Sequence, residues 1–169
     1  HLVLRRQRQM CIRDRKVVVI GSGATAMTLV PAMAEKGATV TMVQRSPTYV
    51  VSRPAEDRIA NTLRKYLPDS WAYAITRLKN TTMSGYFYNQ TRTQPEKVKQ
   101  QILGMARQAI GNEMVDKHFT PSYNPWDQRM CLIPNGDLYQ AINNGSAEVV
   151  TGDIETWTES GLTMTDGTE

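Results

Sequence analysis

The chain has 169 residues, 40% hydrophobic and 21% charged, which is typical of one globular domain and excludes a disordered or fibrous protein. The formal net charge is +4, and residues 1–15 hold all of it as five arginines and one aspartate. The rest of the chain is neutral overall and predicts no nucleic-acid partner. No apolar run approaches the roughly 20 residues of a membrane span. Two cysteines, Cys11 and Cys131, predict no disulfide framework and favour a reducing cytoplasm.

The first segment, residues 1–15, has the sequence HLVLRRQRQMCIRDR and keeps neither a helical nor a strand period. It is similar to translated sequencing-adaptor text, and it stops where an apolar run begins at Lys16. We therefore expect a non-native or disordered N-terminal arm and leave it out of the fold prediction. A genuine basic arm is the alternative, which a continuous native reading frame upstream would support.

A strand, a glycine loop, a helix and a second strand follow in that order. Residues 16–20 (KVVVI) predict a strand buried on both faces of a parallel sheet. The loop of residues 21–26 leads into a helix that we expect to run to about Lys36, where Gly37 suits a C-cap. Residues 38–43 (ATVTMV) predict the second strand. This arrangement is a βαβ unit.

The loop matches the dinucleotide fingerprint in the form G-x-G-x-x-A. Gly21 permits the tight turn, Gly23 lets the backbone approach a pyrophosphate, and Ala26 permits close packing of helix on strand. The helix N-terminus adds free N–H groups and a partial positive charge. A glycine loop that serves packing alone is the alternative. The cofactor-binding residues predicted in the loop are Gly21, Ser22, Gly23, Ala24, Thr25 and Ala26.

The end of the second strand predicts which nucleotide binds. NAD and FAD sites usually place an acidic residue there for the ribose hydroxyls, but this chain has Gln44, Arg45 and Ser46. An arginine can pair with a 2′-phosphate and a serine hydroxyl can donate to it, so Arg45 and Ser46 favour NADP(H). A solvated surface arginine is the alternative.

The remaining chain predicts an extended segment over residues 45–54, and then a helical insertion over residues 56–119. Residues 120–129 form a proline-containing loop, followed by a short strand, a helix and another strand. Alternation of polar and apolar residues after position 153 predicts a C-terminal antiparallel β-meander. The expected fold class is α/β, with a Rossmann-type parallel sheet spanning residues 16–169.

Arg129 ends the proline-containing loop, and from the residues alone it is typical of a surface or salt-bridging arginine. His118 and Asp127 lie nearby in the chain, but neither has a partner at metal-ligand spacing. We therefore predict no metal site, and we interpret the lone histidine as structural.

Three blocks in order resemble the flavin-containing and Baeyer–Villiger monooxygenases, and in particular their thioamide-activating branch: KVVVIGSGATAMTLVPAMA, VTMVQRSPTYV and HFTPSYNPWDQRMCLIPNGDLYQAI. The resemblance implies an NADPH-binding domain inserted between two halves of an FAD-binding domain. It also implies that NADPH reduces FAD, and that a C4a-peroxyflavin formed with O2 oxygenates a small organic ketone, sulfide or amine.

Individual residues carry the same resemblance. Arg45 and Ser46 match the family's 2′-phosphate site. Arg129 matches an arginine that stabilises the peroxyflavin and positions the nicotinamide, so the resemblance implies a catalytic role for it. Many Baeyer–Villiger members have a lysine before that arginine, where this chain has Gln128. We include Gln128 among the expected cofactor-binding residues.

The family's FAD glycine motif, its histidine-containing fingerprint and its C-terminal FAD-contacting strand have no match in this chain. We therefore expect a fragment of a larger flavoprotein that is inactive by itself, with its FAD site mostly elsewhere. An NADPH-dependent flavin reductase without oxygenation and a non-catalytic NADPH-binding module are the alternatives. The sequence leaves the oligomeric state open.

Overall fold

The computed structural model describes residues 12–159 and 161–168, and six helices and seven strands lie within these ranges. The strands are β1 (Lys16–Ile20), β2 (Thr39–Gln44), β3 (Tyr49–Arg53), β4 (Met130–Pro134), β5 (Ala147–Thr151), β6 (Ile154–Trp157) and β7 (Leu162–Met164). The helices are α1 (Ala24–Glu35), α2 (Arg58–Tyr66), α3 (Asp69–Thr93), α4 (Pro95–Ile110), α5 (Asn112–His118) and α6 (Asp137–Asn143). The predicted α/β class is confirmed.

Three parallel strands form the main sheet, in the order β1, β2, β5. The chain between β1 and β2 forms α1, because parallel neighbours need a long crossover connection. At the last register positions, Ile20 lies opposite Val43, and Gln44 lies opposite Thr151. All three strands end at the same edge, so the segments that follow them leave the sheet side by side.

Strand β1 is less buried than its sequence predicts. The expectation of a strand covered on both faces is wrong, because Val18 and Ile20 are 44% and 54% exposed. Within the described residues β1 is an edge strand, and only its alternate residues Val17 and Val19 pack against the core. β2 lies in the middle of the sheet, so Met42 is fully buried.

A second parallel pair, β3 and β4, begins with Tyr49 opposite Met130. Helices α2 to α5 separate the two strands in the chain and lie within residues 58–118. The pairing brings together the residues just before the two strands, and the Thr48 hydroxyl lies 3.4 Å from the carbonyl oxygen of Arg129.

The helical insertion is secured at its start by Asp57. Its carboxylate forms an ion pair with Lys79 of α3 and accepts a hydrogen bond of 3.1 Å from the N–H of Ala60, which caps α2. The bond from Lys79, and then the bond from Ala60, hold the pKa of this carboxyl below its usual value. Although α3 has 25 residues, no helix in the described part of the chain has the length and apolar character to cross a membrane.

The predicted C-terminal meander is present as an antiparallel hairpin of β6 and β7, in which Ile154 pairs with Met164. Leu162 and Met164 cluster with Val43 near the end of β2. The hairpin therefore packs beside the edge at which the three parallel strands end.

The predicted N-terminal arm is described only in part, since residues 1–11 lie outside the described residues. Residues 12–15 form a turn. The N–H of Asp14 donates to the Gly37 carbonyl at 2.9 Å, and the Arg15 carbonyl accepts from the N–H of Thr39 at 3.0 Å. These bonds attach the turn to the connection between α1 and β2.

Candidate dinucleotide-binding site

A cleft of about 310 Å³ lies at the edge where the parallel strands end. It brings together five of the site residues predicted from the sequence, namely Gly21, Ser22, Arg45, Ser46 and Arg129. The other lining residues are Ile20, Val43, Gly152, Asp153 and Ile154. Crevices outside the carboxyl ends of parallel strands are where α/β proteins bind ligands, so the cleft lies where the fold favours a binding site.

The glycine turn forms one wall of the cleft. Gly21 has a φ of 110°, a conformation that side-chain-bearing residues rarely adopt, and its N–H donates to the Val43 carbonyl at 2.7 Å. Gly23 is the N-cap of α1, and a Cβ built there would meet no heavy atom within 4 Å. The space in front of Gly23 is therefore open to a ligand that approaches the backbone.

The N-terminus of α1 is free to bind an anion. No side chain caps it, and its first turn contains no acidic residue. Ala24 and Thr25 are exposed in that turn, whereas Ala26 is buried against the core as the fingerprint predicts. Unpaired N–H groups and the helix dipole at such an end attract phosphate.

Two arginines give the cleft its charge. Neither Arg45 nor Arg129 forms an ion pair with another residue among those the structure describes, and both are exposed. Of the described residues that line the cleft, Asp153 alone is acidic. Because two guanidinium groups face one carboxylate, the cleft favours an anionic ligand.

The backbone of Arg129 is held while its side chain remains exposed. Its carbonyl oxygen lies within 3.5 Å of the hydroxyls of Thr48 and Tyr123. The Tyr49 hydroxyl donates to the Tyr123 carbonyl at 2.6 Å, and the two rings meet edge to face at 5.5 Å. Burial raises the pKa of Tyr49 to about 12, so the hydroxyl stays protonated and keeps donating at neutral pH.

The β3–β4 pair also touches the glycine turn. The thiol of Cys131 lies 3.7 Å from the Ser22 carbonyl, a distance suited to a weak S–H donor. Burial raises the pKa of this thiol, although the positive charge of Arg129 opposes the effect. This contact sets the start of β4, and with it Arg129, next to the glycine turn.

Gln128 is exposed beside Arg129, but it is not among the residues that line the cleft. Sequence reasoning missed Gly152 and Asp153, which enter the cleft because β5 is the neighbour of β2. It also left His118 without a role beyond structure. In the described residues no group of three or more potential metal ligands comes together.

A network of polar side chains lies directly beneath the cleft. The Gln44 amide nitrogen lies 2.6 Å from the His118 carbonyl and 2.9 Å from the Thr151 hydroxyl. His118 Nδ1 is 2.7 Å from the same hydroxyl. Burial, and then the nearby charge of Lys117, lower the pKa of His118. The sequence signal that could have identified Gln44 is its position, as a polar residue directly after the strand sequence TVTMV.

Fold and cleft together define a dinucleotide-binding domain of the Rossmann type. Residues 9–120 match the model of the family described as "Putative NAD(P)-binding". Because the match includes more than half of the chain, the chain belongs to this NAD(P)-binding family.

Curated relatives confirm the resemblance that the three sequence blocks carry. The chain is 49% identical over 157 residues to the FAD-containing monooxygenase EthA of Mycobacterium tuberculosis, covering 92% of this chain and 32% of the relative. It is 47% identical over 154 residues to the "Probable FAD-binding monooxygenase AlmA" of Acinetobacter baylyi, covering 90% of this chain and 31% of the relative. The chain thus spans about a third of the length of the curated relatives it matches.

Solved structures share the fold. OTEMO in complex with FAD and NADP matches with a TM-score of 0.62 and 17% identity, over 94% of this chain and 36% of that one. Oxidized steroid monooxygenase bound to NADP matches with a TM-score of 0.65 and 16% identity, over 91% of this chain and 36% of that one. Both matches therefore extend well beyond the βαβ unit of β1, α1 and β2.

Proposed function

We propose that this chain is the NADPH-binding part of an FAD-dependent monooxygenase. The observation that carries the proposal is that Arg45 and Ser46, at the end of β2, line the same cleft as the glycine turn of Gly21. In a Rossmann-type domain the end of this strand faces the adenosine ribose. An acidic side chain there would repel a 2′-phosphate, whereas a guanidinium binds one with charge-assisted hydrogen bonds.

The residues of the cleft fit the phosphates of NADPH. The uncapped N-terminus of α1 and the open space at Gly23 suit the pyrophosphate. Arg45 and Ser46 would hold the 2′-phosphate, and Gln128, exposed beside Arg129, would add a polar contact. A volume of about 310 Å³ is at the lower end for small-molecule sites, so we expect the cleft to hold one end of the cofactor.

We further propose that FAD is bound mainly by parts of the full-length protein that this chain does not include. EthA and AlmA, which are named as FAD-containing and FAD-binding monooxygenases, support this, because the chain matches only about a third of their length. Bound NADPH would supply the hydride that reduces the flavin. Arg129, whose guanidinium is exposed and has no ionic partner among the described residues, would stabilise negative charge that develops beside the nicotinamide.

The substrates of the whole enzyme would then be O2 and a small organic ketone, sulfide or amine, with no nucleic-acid partner. We place the protein in the cytoplasm. Cys131, the cysteine within the described residues, supports this because it is a buried free thiol, and free thiols are typical of proteins in a reducing compartment.

The first test is the cofactor preference of this chain in calorimetric titrations with NADPH and with NADH. A 2′-phosphate bound by an arginine is worth about 1.5–3 kcal/mol, so NADPH should bind at least about tenfold more tightly. Equal affinities, or no binding of either nucleotide, would remove the basis of the proposal.

The second test addresses oxygenation in the full-length protein loaded with FAD. Arg129→Ala should lower kcat by about 10²–10³-fold while the Kd for NADPH changes much less, since the arginine acts on charge formed during the reaction. The control Arg64→Ala, an exposed arginine of α2 away from the cleft, should leave both values unchanged. NADPH oxidation without any oxygenated product would indicate a flavin reductase instead.

A further inference from the structure

Three polar side chains from three separate elements meet beneath the cleft. Gln44 ends β2, Thr151 ends β5, and His118 ends α5. Gln44 is 1% exposed and His118 is 6% exposed, and neither residue lines the cleft. Buried polar groups are costly unless they are hydrogen-bonded. A buried network of this kind therefore needs a structural or functional reason.

The directions of the two hydrogen bonds made by the Gln44 amide can be assigned. The His118 carbonyl can only accept, so the group 2.6 Å from it must be the Gln44 amide nitrogen and not the amide oxygen. The second hydrogen of that nitrogen then donates to the Thr151 hydroxyl at 2.9 Å. The hydroxyl keeps its own proton and a second lone pair, so at 2.7 Å it can donate to His118 Nδ1 or accept from it, depending on the imidazole tautomer. The hydrogen bonds therefore link Gln44 through Thr151 to His118.

Burial, and then the neighbouring charge of Lys117, favour the neutral imidazole. Either neutral tautomer satisfies Thr151, since Nδ1 accepts when the proton is on Nε2 and donates when it is on Nδ1. This orientation of the Gln44 amide has a cost, since its Oε1 is buried and has no hydrogen-bond partner among the described residues. The opposite orientation would be worse, because it would place the amide oxygen against the carbonyl oxygen of His118.

The main chain of Gln44 is held as well as its side chain. Its carbonyl accepts a hydrogen bond of 2.9 Å from the N–H of Gly152. Arg45 and Ser46 follow directly in the sequence, and Asp153 follows Gly152. The network therefore joins the segment that carries Arg45 to the segment that carries Asp153.

We propose that Gln44, Thr151 and His118 are positioning residues that hold Arg45 and Ser46 in place for the 2′-phosphate of NADPH. This inference rests on the proposed NADPH binding and deepens it. The expected pyrophosphate site lies at Gly23 and the start of α1, after the glycine turn that Gly21 anchors to Val43, and it includes none of the three network residues. Loss of the network therefore weakens the binding of NADPH, which has the 2′-phosphate, more than the binding of NADH, which lacks it.

Paired variants at two positions test the network. Thr151→Val removes the hydroxyl but keeps the shape, and Thr151→Ser keeps the hydroxyl. His118→Leu removes the ring nitrogen that bonds to Thr151, whereas His118→Asn can place either its amide oxygen or its amide nitrogen where Nδ1 lies. Thr151→Val and His118→Leu should each weaken NADPH binding about fivefold and NADH binding less than about twofold, as expected for one lost hydrogen bond. The Ser and Asn variants should stay within about twofold of the wild type for both nucleotides.

Thr91→Val is the matched control, because Thr91 is 1% exposed, its hydroxyl bonds to the Tyr88 carbonyl within α3, and it does not line the cleft. It should lower stability in urea without changing the ratio of the two Kd values. If Thr151→Val or His118→Leu behaves like this control, the network is purely structural and the inference is overturned. Should one of the two fail to fold, the other decides. A wild type that does not prefer NADPH refutes the proposed function instead, and this ratio is measured before any variant.

Discussion

Thr151 stands opposite Gln44 at the last register position shared by β5 and β2, and its hydroxyl accepts a hydrogen bond of 2.9 Å from the Gln44 side chain. The pairing occurs where the sheet ends and the cleft begins. A polar pair buried at this position couples the loop that carries Arg45 to the loop that carries Asp153. The consequences of this arrangement, and of the glycine turn beside it, can be measured on purified protein.

Gly21→Ala should destabilise the fold by about 1–3 kcal/mol, because a side-chain-bearing residue is strained at a φ of 110°. The expected clash is with the residue's own backbone, since a Cβ at this position meets no other heavy atom within 4 Å. Urea unfolding of the variant and the wild type measures the difference.

Gly85→Ala is the matched control with the opposite sign. Gly85 lies in α3, its added Cβ also meets nothing within 4 Å, and it has no positive φ. Alanine is the better helix former by about 0.8–1 kcal/mol, so this variant should be more stable than the wild type. If both substitutions shifted stability in the same direction, the conformational explanation for Gly21 would be lost.

Folding stability should fall as the pH drops below about 6.5, because of His118. Its pKa in the fold is lower than the ordinary value of 6.5, so the unfolded chain takes up a proton first as the pH falls. The contribution is fully present above 6.5 and is lost between that value and the lower pKa of the folded state. Asp57 and Asp166 have pKa values below 3.8 in the fold and stay ionised throughout this window.

The measurement is the free energy of unfolding in urea between about pH 8 and pH 5, for the wild type and for His118→Asn. The variant should show a flatter dependence on pH, since the titrating imidazole is gone while a hydrogen-bond partner for Thr151 is kept. Identical slopes for the two proteins would mean that another group causes the dependence.

Asp153→Asn should strengthen NADPH binding by about two- to fivefold at low salt, because its carboxylate lines the same cleft as Arg45 and repels the 2′-phosphate. NADH binding should change less. The gain should shrink as salt is raised, since exposed charges are screened. Glu148→Gln, an exposed acid on β5 outside the cleft, is the control and should have no effect in the same titrations. Weaker NADPH binding by Asp153→Asn would instead assign Asp153 a direct contact with the cofactor.

The elements that depend on local sequence could be predicted. The βαβ unit follows from a β-branched run, a glycine turn and a helical period, and Gly21 is needed because the chain turns there with a positive φ. Helix α4 starts at Pro95 because proline suits the first turn of a helix. The positions of Arg45 and Ser46 at the cleft follow from the same unit, since they come directly after its second strand.

The features that depend on which strands are neighbours could not be predicted. Asp153 lies in the cleft because β5 pairs with β2, and this pairing joins Gln44 to Thr151 across a sequence separation of 107. The exposure of Val18 reflects the edge position of β1, which a β-branched run does not reveal.

The most direct test of 2′-phosphate binding in this cleft is the Kd for NADPH of Arg45→Ala, compared with that of Arg64→Ala and of the wild type. Arg45 lines the cleft beside the glycine turn, whereas Arg64 is an exposed arginine of α2 outside it. Arg45→Ala should weaken NADPH binding by about 10- to 100-fold, as for a lost charge-assisted contact, and leave NADH binding nearly unchanged. Arg64→Ala should match the wild type. Equal losses for NADPH and NADH, or no loss for either, would contradict the claim that this cleft binds the 2′-phosphate.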